Sequence, residues 1–255
     1  MSDQIAFIGA GNMAGALIGG LLADGIPPGR LTATDCSAEK CQALSAATGI
    51  RTLRDNREAV ADADIVVVSV PLGSMHTVFE QINAGRNEAT IITDAGSAKQ
   101  SVIEDAEAVF GAGFDNFVPG HPIAGTERSG VTAAFPELYR KRRVILTPTD
   151  STSPAAVETV RAMWQAAGAE VETMSAEHHD LVLAGTSHLP HLLAFGLVDC
   201  LNNLEDIDEI FRFAAGGFRD FTRIASSDPV MWRDICLSNR EQVLAMMKRY
   251  RDEME

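Results

Sequence analysis

Small residues at Gly9-Ala10-Gly11-Asn12-Met13-Ala14 form a GxGxxA that follows a short apolar run and opens a helical one. Gly9 permits a tight turn, Gly11 lets backbone approach a pyrophosphate, and the small Ala14 keeps helix and strand close. Phosphate charge would then rest on the free N–H groups of the first helical turn, at Asn12 and Met13. Asp35 follows about 24 residues after Gly11, where a carboxylate accepts from the adenosine ribose hydroxyls and repels a 2′-phosphate. That pairing points to NAD rather than NADP; a flavin or a non-dinucleotide ligand is the alternative left open. Three stretches stand where further apolar runs end: Ser69-Val70-Pro71, Asp94-Ala-Gly-Ser97-Ala-Lys99 and Pro119-Gly-His121-Pro122. In a doubly wound sheet such ends open onto the ligand edge, so Ser69 and Pro71 would border the coenzyme. Ser97 and His121 are the polar groups best placed for chemistry, although a single histidine in a loop is as often structural.

The elements that would position these groups alternate. Ile5–Ile8, Leu31–Thr34, Ile65–Val70, Thr90–Thr93, Asn116–Val118, Val144–Leu146 and Glu170–Thr173 read as strands, with helices at Met13–Ala23 and Pro154–Ala167 among the intervening segments. The β-branched run Ile65–Val70 is the pattern of a strand covered on both faces. Alternation of this kind predicts βαβ units and an α/β, Rossmann-type doubly wound parallel sheet. After Ser175 the β-branched runs stop, and Leu192–Leu204, Asp208–Phe213 and Pro229–Met254 read as helices, the last with Asp228 as N-cap before a first-turn proline. We therefore expect a dinucleotide-binding domain over 1–175 and an all-α domain over 176–255.

Composition narrows the class. The 255 residues are 46% hydrophobic and 22% charged, ordinary globular proportions, and carry a net charge of −14. So acidic a chain is not drawn to nucleic acid. No apolar run reaches the roughly 18 residues of a membrane span, and the opening Met1-Ser2-Asp3-Gln4 lacks the basic start of a secretory signal. Cys36, Cys41, Cys200 and Cys236 make no CxxC or metal spacing, which fits reduced thiols in the cytoplasm.

Several longer motifs resemble one family. Asp94-Ala-Gly-Ser97-Ala-Lys99, Gly120-His121-Pro122-Ile-Ala-Gly125-Thr-Glu127-Arg-Ser-Gly130, Ser187-His188-Leu-Pro190-His191 and Gly216-Gly-Phe218-Arg219-Asp220-Phe-Thr-Arg223 through Asp228-Pro-Val-Met-Trp232-Arg-Asp234 are similar to those of the prephenate/arogenate dehydrogenases of tyrosine biosynthesis. The resemblance implies NAD-dependent oxidative decarboxylation of a non-aromatic cyclohexadienol: hydride leaves the hydroxyl-bearing carbon, carbon dioxide departs and the ring aromatises. His121 then matches the catalytic histidine, and an imidazole titrating near neutral pH is suited to take the hydroxyl proton. Ser97 matches a serine that bonds the same hydroxyl or orients that histidine. For a substrate with two carboxylates, Arg223 matches a bidentate clamp and His191 a substrate contact. Glu127 matches a gating acid. Arg219 and His188 are either further contacts or packing and helix-end residues, and Trp232 is either a pocket wall or a core aromatic.

One stretch departs from that family: Gly9 to Leu22 looks more like the opening of a pyrroline-5-carboxylate reductase, and nothing after it does. An imine reductase of that type, and a non-catalytic NAD-binding sensor, are therefore the alternatives. Other polar clusters have plainer readings. Glu177-His178-His179-Asp180 reads as a solvated helix start without metal geometry, Arg140-Lys141-Arg142-Arg143 as a surface face, and His76 has no role. His188 and His191 have a zinc-like spacing that the dehydrogenase reading explains better, so no metal is expected. About 80 helical residues close a core poorly on their own, which predicts a homodimer through the C-terminal helices.

Overall fold

The computed structural model describes residues 3–124, 135–205 and 207–255; Glu127, expected at the substrate, lies outside them. Two compact units divide the chain, Met1–His179 and Asp180–Glu255.

In the first unit six parallel strands, β1 (Ile5–Ile8), β2 (Leu31–Thr34), β3 (Arg51–Leu53), β4 (Ile65–Val68), β5 (Ile91–Asp94) and β6 (Phe117–Val118), lie in the order β3-β2-β1-β4-β5-β6. Chain direction across the sheet reverses between β1 and β4, the switch point where such sheets bind ligands. Both of these strands are buried throughout. Ile5, Phe7, Ile65 and Val67 join the core that includes α1 (Asn12–Ala23) and α6 (Pro154–Ala166). Ala6, Ile8, Val66 and Val68 turn to the opposite core, with α3 (Asn56–Val60), α4 (Met75–Gly85) and α5 (Gln100–Phe110). Alternate residues on each strand thus meet helices on opposite faces, the physical reason for an unbroken apolar run. The doubly wound expectation holds.

Boundaries move for local reasons. β4 stops at Val68 rather than Val70 because its neighbour β1 ends at Ile8, the residue paired with Val68. β3 escapes a hydrophobicity reading because Arg51-Thr52-Leu53 is a polar edge strand paired with β2 alone. The expected single series also divides. β7 (Gly120–Pro122), β8 (Arg143–Leu146) and β9 (Glu170–Thr173) form a second, three-stranded sheet, with β7 antiparallel and β9 parallel to β8. Pro119, which has no N–H to continue the first ladder, separates β6 from β7, and its carbonyl accepts from Thr147 N at 2.9 Å. His121 therefore sits on a strand, opposite Ile145, and not in a loop.

α2 (Ala38–Thr48) follows β2, and α7 (Ala176–Leu183) carries the chain into the second unit. There a five-residue π turn, Ala184–His188, leads to α8 (Leu189–Asn202), followed by α9 (Ile207–Arg212), α10 (Gly216–Thr222), α11 (Pro229–Ser238) and α12 (Arg240–Met254). Asp228 caps α11 as expected, accepting from Val230 N and Met231 N at 2.8 and 3.0 Å. The expected single helix Pro229–Met254 breaks at Asn239, which is buried and has its side chain engaged elsewhere. α10 opens on Gly216-Gly217, poor helix formers that hid it from a propensity reading.

One exclusion from the sequence needs amending. Within the 27-residue helical run Ala176–Asn202 an 18-residue window reaches a mean hydropathy of 1.5, long and apolar enough to cross a membrane by length and composition alone. The run also carries Glu177, His178, His179, Asp180, His188 and His191, side chains that are expensive in hydrocarbon.

Candidate active site

At the end of β1 the backbone of Gly9 takes φ +102°, and a Cβ there would lie 2.4 Å from the Ser69 carbonyl oxygen. Only glycine fits both demands. Gly11 is the N-cap of α1, has extended backbone and supplies no side-chain cap; a Cβ built on it meets nothing within 4 Å. The turn is therefore held tightly from behind and open in front, beside the first turn of α1 with Asn12, Met13 and Ala14. Tyr139 fixes that turn by donating its hydroxyl to the Met13 carbonyl at 2.9 Å.

Asp35 lies just past β2 and ties backbone on two sides. Its Oδ2 accepts from Ala10 N at 3.0 Å, its Oδ1 from Ser37 N at 2.9 Å, and Lys40 Nζ stands 3.7 Å away. Burial by itself would raise this carboxyl, but the donors from Ser37 and Ala10, with the Lys40 charge, outweigh it and hold the group below the ordinary carboxylate range. An ionised acceptor thus sits against the glycine turn. Ser69 and Val70 are half-buried beyond β4 and Pro71 is exposed. A dinucleotide fits this cradle: open backbone for its phosphates and a fixed anion for its ribose.

The second cluster is built around β5 and β7. Asp94 ends β5 fully buried, and its carboxylate accepts from Gly96 N at 2.8 Å and Gly120 N at 3.1 Å. Lys99, equally buried, pairs with that carboxylate and donates to the Gly120 carbonyl at 2.7 Å. This ion pair staples both backbone groups of Gly120 to the loop that bears the half-buried Ser97. A side chain at Gly120 would press to 3.0 Å from the Asp94 carbonyl oxygen. His121, the next residue, is 9% exposed, and its Nδ1 lies 2.8 Å from His179 Nε2, the rings meeting edge to face at 65°.

His179, which the sequence reading left in a solvated helix start, is the residue that the structure brings against His121. Glu177 and His178 are exposed as a solvated helix start requires, but His179 and Asp180 are buried. Among the described residues no three His, Cys, Asp or Glu side chains are grouped to hold a metal ion.

The second unit holds its own polar constellation. His191 and Trp232 stack with ring centroids 3.5 Å apart and planes 15° from parallel. His191 Nδ1 donates to the Ser187 carbonyl at 2.9 Å, which leaves Nε2 as its outward nitrogen. Burial pulls this imidazole below its usual range, against the opposing pull of the Ser187 carbonyl. His188 is buried and meets Asn239 Nδ2 at 3.1 Å, the same amide that donates to the Asp180 carbonyl at 2.8 Å. That environment favours the packing reading of His188 over substrate contact. Trp232 is half-buried, with its ring spent on His191. Arg223 is exposed at the start of a 3₁₀ turn, Arg223–Ser226, and Arg219 is exposed on α10.

Comparison with known proteins adds independent findings. Residues 18–173 match the family described as prephenate dehydrogenase, nucleotide-binding domain, and residues 175–255 match prephenate dehydrogenase, dimerization domain. A cyclohexadienyl dehydrogenase of Zymomonas mobilis is 39% identical over 203 residues, 77% of this chain and 67% of the relative. The chain spans about two thirds of the length of such curated relatives. A crystal structure of prephenate dehydrogenase from Aquifex aeolicus, in complex with hydroxyphenyl propionate and NAD+, superposes with a TM-score of 0.92 at 34% identity, covering 100% of this chain and 88% of that one. A pyrroline-5-carboxylate reductase of Pseudomonas aeruginosa is 47% identical over 81 residues, 32% of this chain and 30% of the relative. That likeness is longer than the segment Gly9 to Leu22 on which the sequence reading rested it, yet it leaves most of the chain unmatched.

Proposed function

The chain belongs to the prephenate dehydrogenase family, and on that premise we propose that it catalyses NAD-dependent oxidative decarboxylation of prephenate to 4-hydroxyphenylpyruvate, of arogenate to tyrosine, or of both. The observation that carries this reading is the buried His121 imidazole, aligned by a second ring and fixed through Gly120 to the Asp94–Lys99 pair.

NAD, when bound, supplies the acceptor for the hydride that leaves the hydroxyl-bearing ring carbon. Gly9, Gly11, Asn12, Met13 and Ala14 would hold its phosphates, Asp35 its adenosine ribose, and Ser69 and Pro71 would border it. His121 takes the hydroxyl proton at Nε2 as the carbon becomes carbonyl-like. Ser97 bonds the same hydroxyl or orients that imidazole. Loss of the ring carboxylate as carbon dioxide sends its bonding pair into the ring, which becomes aromatic. Arg223 and His191 would hold substrate carboxylate; Arg219, Trp232 and Glu127 remain assigned to substrate, and His188 to the support of this helix. Residues 1–175 are the coenzyme part and 176–255 the helical part in this scheme. A homodimer through the C-terminal helices and a cytoplasmic location go with it.

The test is His121→Asn. Positioned proton transfer is worth about 10²–10⁴ in rate, so kcat should fall by that order while NAD affinity, measured by titration, stays within about twofold. Near wild-type turnover would sink the assignment. Assay of a pyrroline carboxylate beside prephenate and arogenate separates the imine reductase reading. NAD binding with no turnover of any cyclohexadiene would favour the sensor.

A further inference from the structure

A nitrogen-to-nitrogen contact of 2.8 Å between two imidazoles requires a proton between two lone pairs, so one ring donates and the other accepts. If His121 is to receive a proton at Nε2, that nitrogen must carry a lone pair, and the neutral ring must then be protonated on Nδ1. The nitrogen facing His179 Nε2 is Nδ1. We infer that His179 is a positioning residue for the proton transfer: its Nε2 accepts from His121 Nδ1–H and thereby holds His121 in the one neutral tautomer that can act as base. This inference rests on the reading of His121 as the proton acceptor.

The step balances without a further reactant. The substrate O–H bond breaks, its electron pair stays on oxygen, and the proton joins His121 Nε2. His121 becomes an imidazolium with two N–H groups, and the inner one is already donated to His179. A carboxylate in the place of His179 would fix the same tautomer, but it would add a negative charge beside a substrate that brings two carboxylates. A neutral imidazole orients and stabilises the cation by its dipole alone.

Both rings stand on rigid supports. Ser175 starts α7 by accepting from His178 N through its hydroxyl at 3.2 Å and from His179 N through its carbonyl at 2.9 Å. One turn along, Leu183 is buried on the same face as His179, while Glu177 and His178 stay exposed. On the other side β7 is paired to β8, and Gly120 is held at both N–H and C=O. Neither ring has to be ordered when the substrate arrives.

Leucine at 179 removes the acceptor, whereas glutamine retains an oxygen that can take the Nδ1–H bond. In His179→Leu, kcat should fall by about 10²–10⁴, the order expected for a misdirected catalytic tautomer, with NAD affinity within about twofold and substrate KM within about threefold. His179→Gln should recover kcat to within about tenfold of wild type. Two-bond ¹H–¹⁵N spectra of the coenzyme-free wild type should show His121 protonated on Nδ1, and this preference should weaken in the leucine variant. A leucine variant within twofold of wild-type kcat, equal losses in both variants, or Nε2 protonation of His121 in the wild type would each overturn the inference. Should the leucine variant fail to fold, the wild-type spectrum and the glutamine variant still decide it. Failure of the underlying reading shows separately, as retained turnover in His121→Asn.

Discussion

Asp35 carries two tasks on one carboxylate. Its negative charge is the feature proposed to favour NAD, and its two oxygens also tie Ala10 and Ser37 to the end of β2. An amide cannot do both, since it offers one acceptor oxygen and turns an NH₂ toward the other N–H. In Asp35→Asn the ratio of kcat/KM for NAD over NADP should fall by about tenfold or more as the repulsion of a 2′-phosphate is lost, measured with both coenzymes under one condition. An unchanged ratio would leave the carboxylate as a loop tether only. At this scale the sequence was readable wherever a residue's position follows from its local frame. Gly9, Asp35, Ser97 and His121 each sit where an apolar run ends, and strand ends define the ligand edge. His179 had no such frame. It lies 58 residues from His121, inside a polar tetrad whose buried side is chosen by packing and not by composition.

Between residue and molecule stand the elements, and here the staple from β5 to β7 has measurable weight. Asp94 and Lys99 are both fully buried, and a buried charge left without its partner costs about 3–5 kcal/mol. Lys99→Met should therefore lower unfolding free energy by about that amount in urea titration, and kcat should drop with it because Gly120 and His121 lose their anchor. A change below about 1 kcal/mol would mean that the pair contributes little to holding β7. Strands buried on both faces, such as Ile5–Ile8 and Ile65–Val68, were legible because period and apolarity agree. β3 is a polar edge, and β7 is three residues that follow one proline and end on another. Their pairing is set by neighbours distant in sequence, so neither could be read from its own residues.

For the whole molecule, net charge and exposed apolar surface point in different directions. A charge of −14 repels an anionic substrate at long range, so under the proposed function capture of prephenate or arogenate would fall to local groups such as Arg223. The second unit meanwhile exposes Phe213 at 70%, Leu237 at 62% and Val230 at 54%. Exposed apolar side chains of that size on a small helical unit fit the proposed dimer surface. Light scattering at micromolar concentration should give twice the 27.3 kDa of one chain. Introducing glutamate at Leu237 and at Leu244, itself 47% exposed, should shift the mass toward that of a single chain. A wild type that scatters as one chain would refute the dimer.

The π turn Ala184–His188 sets a helix against itself. An α-helix needs one residue fewer for the same turn, so everything after the bulge is rotated by about 100° from where an unbroken helix would put it. Were these same residues to relax into an unbroken α-helix, the backbone would gain its preferred geometry and a more regular hydrogen-bond ladder. It would also swing His188 away from Asn239 and His191 away from Trp232. The off-optimum turn thus absorbs one extra residue without turning the helix that follows, and it is held in place as long as the segment keeps its present length. The constraint comes from aim: a stretch of backbone kept off its local optimum because two side chains must point where they do.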